Sequence, residues 1–220
     1  GVGAGVAALL HAEGVDGAAF RLLTADALAT EIAAAARDLG LSAGCFNLVQ
    51  GLGAEAGQAL VEHPQVGAIS FTGGTETGRR VAATAAPLFK KLSLELGGKN
   101  PIIVLDDANL HMAVAATAKG AFGSTGQRCT ATSRAVVQRG VHDQFVDQLL
   151  AAAAEVVPGN GLLPGSTMGP SVDQDQFDKV HEYLGIGKDE GAQIRCGGGR
   201  AASGELAHGL FTEPTIWTGV

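Results

Sequence analysis

The sequence of 220 residues contains few cysteines and few aromatic side chains. Its three cysteines, Cys45, Cys129 and Cys196, are far apart and form no Cys-x-x-Cys pair. This spacing indicates neither a disulfide framework nor a zinc site. We therefore expect no bound metal and a reducing compartment, for which the cytoplasm is the default.

Long hydrophobic runs and basic tracts are also missing. No apolar stretch approaches the length that spans a bilayer, and the N-terminal segment GVGAGVAALL lacks the basic region of a signal peptide. The net charge is −7, and an acidic surface repels the phosphate backbone of nucleic acids. We therefore expect neither a membrane partner nor a nucleic-acid partner.

Short apolar segments alternate with helical segments, and glycine-rich turns separate them. This alternation is typical of an α/β fold, in which crossover helices connect parallel strands. The predicted strands lie at 45–50, 66–71, 90–96, 101–106, 133–138 and 192–199. The predicted helices lie at 25–39, 54–64, 75–86, 111–122, 142–157 and 173–190. Residues 1–24 have no clear period, and no closing element is predicted after residue 213.

Helical periodicity also predicts which residues face the core. In the first helix these are Leu28, Ile32, Ala35, Ala36 and Leu39. In the helix after residue 142 they are Phe145, Val146, Leu149, Leu150 and Ala153. Asn109 is the predicted N-cap of the helix at 111–122, which follows it in the chain.

Two glycine-rich turns each follow a predicted strand and open a predicted helix. One is GLGAEAG, with Gly53 and Gly57, and the other is FTGGTETG, with Gly73 and Gly74. Unpaired N–H groups at a helix N-terminus attract phosphate, and the missing Cβ atoms let a ligand approach the backbone. An ordinary strand-to-helix turn is the alternative for either segment, and FTGGTETG is the more specific of the two phosphate candidates.

Cys129 lies in STGQRCTATSR, between small polar residues and arginines. A reactive cysteine needs access and surroundings that favour its thiolate, and Arg128 is a cationic neighbour. The same spacing also fits a buried structural cysteine. A cysteine–histidine hydrolase is a further alternative, although neither His111 nor His142 lies in a glycine-rich segment.

Glu95 ends the predicted strand KKLSLE and precedes two glycines. Ligands of α/β folds bind at the carboxyl ends of the parallel strands, so a carboxylate there can face a ligand. In that position it could accept a proton from water as a general base. A solvent-exposed glutamate at a strand end is the alternative.

Three motifs, FTGGTETG, LELGGKNP and GQRC, in this order resemble the aldehyde dehydrogenase superfamily, and the similarity runs from about residue 28 to residue 220. Glu95 and Cys129 are 34 positions apart, which matches the spacing of that family's general base and nucleophile. The resemblance implies part of a Rossmann-like dinucleotide-binding domain in residues 1–96, with 1–24 unassigned. Most of an α/β catalytic domain would follow in residues 97–220.

The resemblance also implies a mechanism that uses NAD or NADP. The Cys129 thiolate would attack an aldehyde, and its backbone N–H would donate to the oxyanion of the thiohemiacetal. After hydride transfer, Glu95 would activate the water that hydrolyses the thioester. The cofactor-binding positions that the family implies are Gly53, Gly57, Phe71, Thr72, Gly73, Gly74, Thr77, Leu96 and Gly97. STGQRCTATSR and YLGIGKDEGA look most like enzymes that oxidise α-ketoglutaric semialdehyde (2,5-dioxopentanoate) to 2-oxoglutarate.

Several family features are missing from the chain, which therefore resembles an internal fragment. Full-length members are more than twice as long, and their upstream oxyanion-hole asparagine and ribose-binding lysine have no counterpart here. We therefore expect these 220 residues alone to be inactive or nearly so, and the full-length parent to be a homo-oligomer. A non-catalytic structural or binding member of the same fold and a nucleotide-free cysteine hydrolase stay open as alternatives.

Overall fold

The computed structural model describes residues 25–42, 44–47, 49 and 51–220, and the chain divides into a unit that ends at Leu96 and a unit that spans Gly97–Val220. The first contains α1 (Ala25–Asp38), a π-helical turn (Gly53–Gly57), α2 (Gln58–Glu62), β1 (Ala68–Gly73), α3 (Thr75–Ala85) and β2 (Lys91–Leu96). The second contains β3 (Asn100–Val104), α4 (Leu110–Phe122), β4 (Thr132–Val137), α5 (His142–Ala154), α6 (Gln174–Asp189), β5 (Gln193–Cys196) and β6 (Ile216–Thr218).

The described strands form three two-stranded sheets. Strand β1 pairs in parallel with β2, β3 pairs in parallel with β4, and β5 pairs antiparallel with β6. Parallel neighbours need a crossover connection, which helix α3 supplies in the first unit and helix α4 in the second. The predicted α/β class is confirmed. In the described part of the chain, no helix has both the length and the apolar character that crossing a membrane requires.

The apolar residues of β1 and β2 alternate with exposed ones, as the two-residue period of a strand requires. Phe71, Leu94 and Leu96 are among those that are half-buried. Helix α3 approaches this pair so closely that a Cβ on Gly78 would lie 2.7 Å from Cδ2 of Leu96. The absence of a side chain at Gly78 therefore lets α3 pack closely against the end of β2.

Lys90 connects the start of β2 to the end of α2. Its side chain is buried, and its Nζ donates hydrogen bonds to the carbonyl oxygens of Val61 at 2.6 Å and His63 at 2.7 Å. The last carbonyls of a helix have no partner within the helix and carry partial negative charge, so a cation stabilises them. Lys90 therefore caps α2 from a distant point in the chain.

The core of the second unit surrounds Phe145 of α5 and Val104 of β3, each 1% exposed. Their cluster also contains Val114, Phe122, Leu149, Ala153, Met168 and Ile216. The predicted apolar face of α5 is confirmed, because Phe145, Val146, Leu149 and Ala153 are buried and Leu150 packs against the cluster. The predicted N-cap is also confirmed, since the Asn109 side chain accepts a hydrogen bond from the N–H of Met112 at 3.1 Å.

Two strand predictions were wrong. The segment 45–50 was predicted as a strand, but residues 45–47 and 49 have no strand pairing among the described residues. A strand needs a partner as well as apolar residues, and β1 pairs with β2 alone in the described part. The chain end, predicted to lack a closing element, forms β6 against β5.

Helix α1 forms where it was predicted, but its expected apolar face is largely uncovered. Ala36 is buried, whereas Ile32 is 43% exposed and Leu39 is 69% exposed. The side chain of Leu28 and all of residues 1–24 lie outside the described residues. Helical periodicity sets which residues share a face, and it carries no information on what covers that face.

Cys196 ends β5 and packs against the core cluster of the second unit. Its thiol donates to the carbonyl oxygen of Pro214 across 3.5 Å. Burial raises the pKa of this thiol above its ordinary value of 9.0, the Glu213 carboxylate adds to the rise, and a backbone hydrogen bond at Ile216 opposes it. The neutral thiol is therefore the form that the fold favours.

We expect Lys90→Met to lower the free energy of unfolding by about 2 kcal/mol, because hydrogen bonds from a charged donor contribute roughly 1.5–3 kcal/mol. Urea unfolding followed by circular dichroism measures the change. Lys91→Met is the matched control, since Lys91 is exposed, and we expect it to change stability by less than about 0.5 kcal/mol. Equal losses for the two variants would argue against the capping role.

Cys196 should make the protein less stable at alkaline pH. Because its pKa is raised in the folded state, its contribution is complete below the unfolded pKa and is lost as pH rises through the folded value. We expect the stability difference between the wild type and Cys196→Ala to be constant below about pH 8 and to shrink above about pH 9. Urea unfolding at each pH measures this difference, and a constant gap throughout would contradict the assignment.

Candidate active site

Cys129 lies in the second unit, in the connection from α4 to β4. The chain first makes a tight helical turn over Gly123–Gly126. A second turn over residues 128–131 follows, and a hydrogen bond from the N–H of Ala131 to the carbonyl oxygen of Arg128, at 3.0 Å, closes it. Cys129 is exposed on this second turn, which we call the Cys129 turn. A buried structural cysteine does not fit this position.

Three consecutive residues before that turn have left-handed backbone, with φ of 53° at Ser124, 58° at Thr125 and 66° at Gly126. Non-glycine residues adopt this conformation at a cost of roughly 1–2 kcal/mol each. It persists only where the surroundings hold it. One such contact is the hydrogen bond from Oγ1 of Thr125 to the carbonyl oxygen of Gly169, at 2.9 Å.

Gln127 holds the same loop through both ends of its side-chain amide. Its Nε2 lies 3.3 Å from the carbonyl oxygens of Ser124 and Pro170, to which it donates. Its Oε1 accepts a hydrogen bond from the N–H of Val172 at 2.8 Å. The glutamine of the GQRC motif therefore attaches the loop to the segment 169–172, which is more than 40 positions away.

Asn100 and Arg128 hold the Cys129 turn from other directions. The Nδ2 of Asn100, at the start of β3, donates to the carbonyl oxygen of Cys129 at 2.7 Å and to that of Ala131 at 3.3 Å. The Nη2 of Arg128 donates to the carbonyl oxygen of Lys119 at 3.1 Å, near the C-terminus of α4. The Arg128 guanidinium, which is adjacent to Cys129 in the sequence, is thus directed at the C-terminal end of α4, where cations are stabilised.

Glu95 lies in the first unit, at the carboxyl end of β2. It is opposite Thr72 in the parallel register, and Leu96 is opposite Gly73. Glu95 and Thr72 are both exposed. The carboxyl ends of parallel strands are where α/β sheets bind ligands, so these four predicted site residues lie together at the expected edge.

The junction of β1 and α3 brings together the remaining residues of the FTGGTETG motif. Helix α3 begins at Thr75, and Gly74 is its N-cap with φ −74° and ψ 146° and no side-chain cap. A Cβ on Gly73 would lie 2.6 Å from Cζ of Phe71, whereas a Cβ on Gly74 would meet nothing within 4 Å. Thr77 lies in the first turn of this helix. A side chain at position 73 would therefore displace the Phe71 ring, whereas the space at position 74 is open.

The other predicted cofactor positions have less distinctive surroundings. Gly53 and Gly57 are the first and last residues of the π-helical turn before α2, and Gly97 begins the second unit. A Cβ on any of the three would meet nothing within 4 Å. Cys129 belongs to the second unit, so the structure groups it with Asn100 and Gln127, and it groups Glu95 with the first-unit residues.

The described residues contain no metal-binding cluster, and they contain a cavity that is separate from the Cys129 thiol. No three His, Cys, Asp or Glu side chains there are grouped so that they could hold a metal ion. The second unit contains a cavity of about 170 Å³, and its lining includes Thr125, Gln127, Phe122, Met168 and Leu184. The Cys129 thiol is not part of that lining.

Sequence reasoning did not identify Asn100 or Gln127 as residues that hold the turn. Both are amides inside segments that had already been selected, LELGGKNP and GQRC. A side-chain amide inside such a motif is a usable signal, since its donors and its acceptor can hold backbone in irregular conformations.

Comparison with known proteins places the chain among relatives of one family. The sequence profile described as "Aldehyde dehydrogenase family" matches residues 23–220. Alpha-ketoglutaric semialdehyde dehydrogenase of Bacillus subtilis is 41% identical over 190 residues, which are 86% of this chain and 39% of that protein. Betaine aldehyde dehydrogenase of Mesorhizobium japonicum is 44% identical over 183 residues, or 83% of this chain and 37% of that protein.

A solved structure is similar over the same part. The betaine aldehyde dehydrogenase of Staphylococcus aureus in complex with NAD+ has a TM-score of 0.83 and 37% sequence identity. The match covers 86% of this chain and 38% of that one. The chain therefore spans about two fifths of the length of the relatives that it matches.

Gly126→Ala should lower the free energy of unfolding by about 1–2 kcal/mol, because alanine is strained at this φ. Its Cβ would also lie 3.0 Å from the carbonyl oxygen of Ala121. Thermal unfolding measures the change. Gly140→Ala is the control, since its Cβ meets nothing within 4 Å and its φ is ordinary. If the control loses as much stability as Gly126→Ala, the left-handed loop is not the cause.

Proposed function

This chain belongs to the aldehyde dehydrogenase family, and we propose that its parent protein oxidises an aldehyde to a carboxylic acid with NAD+ or NADP+. The observation that carries the proposal is the exposed Cys129 thiol, on a turn that hydrogen bonds hold at several points. Nucleophilic cysteines need access together with a rigid backbone that directs the thiolate. Because the chain spans about two fifths of its relatives, we assign the activity to the parent rather than to these 220 residues alone.

We assign the nucleophile to Cys129. Its thiolate forms a C–S bond to the aldehyde carbon, and the carbonyl oxygen becomes an oxyanion. The backbone N–H of the same residue, Cys129, donates a hydrogen bond to that oxyanion. Loss of hydride from this carbon converts the thiohemiacetal into a thioester.

The residues at the β1–α3 junction fit a dinucleotide. Gly74 precedes the helix N-terminus without a side chain, so a phosphate can approach the first N–H groups of α3. When bound, the nicotinamide supplies a hydride acceptor. We propose that the residues holding it are Phe71, Thr72, Gly73, Gly74, Thr77, Leu96 and Gly97, with Gly53 and Gly57 on the adenosine side.

We assign the general base to Glu95. Its exposed carboxylate lies at the ligand-binding edge of the β1–β2 pair. It takes a proton from water, the hydroxide adds to the thioester carbonyl, and the C–S bond breaks to regenerate the Cys129 thiolate. A water-activating carboxylate favours a free acid as the product.

For the substrate we propose α-ketoglutaric semialdehyde, with betaine aldehyde as the second candidate. Support for the first comes from the segments STGQRCTATSR and YLGIGKDEGA and from the name of the Bacillus subtilis relative. We further propose a homo-oligomeric parent in a reducing compartment such as the cytoplasm, where the Cys129 thiol stays free.

In the parent protein, Cys129→Ala should lower the rate of aldehyde-dependent NADH or NADPH formation by about 10³-fold or more, since the nucleophile is lost. Glu95→Gln should release about one reduced cofactor per site in a burst and then stall, because the thioester is not hydrolysed. Stopped-flow absorbance at the reduced nicotinamide band measures both. Cys45→Ala and Glu182→Gln are matched controls at exposed positions.

Each alternative has its own outcome. Aldehyde oxidation that survives Cys129→Ala would show that the nucleophile is wrongly assigned. Ester or amide hydrolysis that needs Cys129 but no nucleotide would favour a cysteine hydrolase. A parent that binds the nucleotide without turning over any aldehyde would favour a non-catalytic member of the fold.

A further inference from the structure

We propose that Asn100 is a positioning residue for Cys129, one that sets the direction of its thiol and backbone N–H without touching the substrate. This inference rests on the proposed function, in which Cys129 is the nucleophile and its N–H is an oxyanion donor. It assigns to Asn100 a role in the reaction rather than in folding alone.

The side-chain amide of Asn100 has one N–H donor for each of two carbonyl groups in the Cys129 turn. A side-chain amide has two N–H donors, and its Nδ2 lies 2.7 Å from the oxygen of Cys129 and 3.3 Å from that of Ala131. These two carbonyls lie on either side of Thr130. Together with the closing bond from Ala131 to Arg128, three hydrogen bonds hold a four-residue turn.

The carbonyl of Cys129 matters because the peptide unit is planar. Each residue has only two soft backbone dihedrals, so holding this carbonyl restricts ψ of Cys129. The closing bond of the turn holds the carbonyl of Arg128, which lies in the same peptide plane as the N–H of Cys129. The N–H and the Cβ of Cys129 are therefore oriented relative to each other before any substrate binds.

Asn100 is itself held firmly, on a strand rather than a loop. It is opposite Thr132, whereas Pro101 is opposite Arg134, so Ser133 is an extra residue that bulges from β4. Bulges re-aim side chains beside functional sites. The Oγ of Ser133 donates to the carbonyl oxygen of Asn100 at 3.4 Å.

A second contact holds the preceding residue. The Nη2 of Arg134 donates to the carbonyl oxygen of Lys99 at 2.7 Å. Hydrogen bonds thus connect β3 to β4 on both sides of the Asn100 Cα, from which the side-chain amide projects. A donor that is itself held in this way can transmit rigidity to the turn it contacts.

Two reactions of the Cys129 thiolate separate positioning from simple reactivity. With p-nitrophenyl acetate, the thiolate adds to the ester carbonyl, an oxyanion forms, and p-nitrophenolate leaves to give a thioester. With iodoacetamide, the thiolate displaces iodide and no oxyanion forms. Only the first reaction depends on the N–H of Cys129, so the ratio of the two rate constants measures the oxyanion geometry.

The rates are measured in the parent protein by mass spectrometry of the peptide that contains Cys129. Cys45, which is also exposed, is an internal reference in each sample. The variants are Asn100→Ala, which removes the amide, and Asn100→Asp, which keeps the shape but has no donor at neutral pH. Gln144→Ala is the control, since it removes an exposed side-chain amide from α5 and leaves the Asn100 amide and its contacts in place.

Both Asn100 variants should lower the ratio of acylation to alkylation at Cys129 by about tenfold, less than the 10²–10³ lost when an oxyanion donor is removed. The ratio at Cys129 in Gln144→Ala and every ratio at Cys45 should stay unchanged. If Asn100→Ala unfolds the chain, its Cys129 and Cys45 rates will coincide, and Asn100→Asp then decides. An unchanged ratio in a folded variant overturns the positioning role.

The wild type separates this inference from the function on which it rests. If wild-type Cys129 is acylated no faster than Cys45, the nucleophile assignment is wrong. If Cys129 is faster but the Asn100 variants match the wild type, the assignment survives and Asn100 has a structural role alone.

Discussion

The hydrogen bonds that hold the backbone before and around Cys129 are the constraint on which the candidate site depends. Left-handed conformations at Ser124 and Thr125 are unfavourable for residues with a Cβ. They are maintained because hydrogen bonds connect this loop, and the Cys129 turn that follows it, to other elements. Asn100 comes from β3, Arg128 is attached to α4, and Gln127 reaches the segment 169–172. Residues far apart in sequence thus determine the backbone at the thiol.

Both units contain a parallel strand pair, but their predicted site residues lie at different ends of those strands. In the first unit, the carboxyl ends of β1 and β2 meet, so Thr72, Gly73, Glu95 and Leu96 lie at one edge. In the second, Asn100 and Thr132 begin the paired strands β3 and β4, and the Cys129 turn precedes the second of them. In both cases a crossover helix supplies the connection that parallel pairing requires.

Local patterns predicted the elements that carry these residues well. The cap at Asn109 and the apolar face of α5 depend on neighbours within one helical turn, and both were confirmed. The strand predicted at 45–50 was wrong, since pairing needs a partner that an apolar run does not specify. The positions of Glu95 and Cys129 within their units follow from motif order, and their chemical roles remain a proposal.

Composition and periodicity were therefore enough to predict the α/β class and most element positions, and the resemblance of three motifs was enough to predict the family. Tertiary structure alone decided that the Arg128 guanidinium turns to the Lys119 carbonyl and that the Asn100 amide binds the carbonyl of Cys129. The physical reason is that helical and strand periods arise from contacts a few residues apart. A side chain's hydrogen-bond partner depends on which distant backbone groups the fold leaves within about 3 Å.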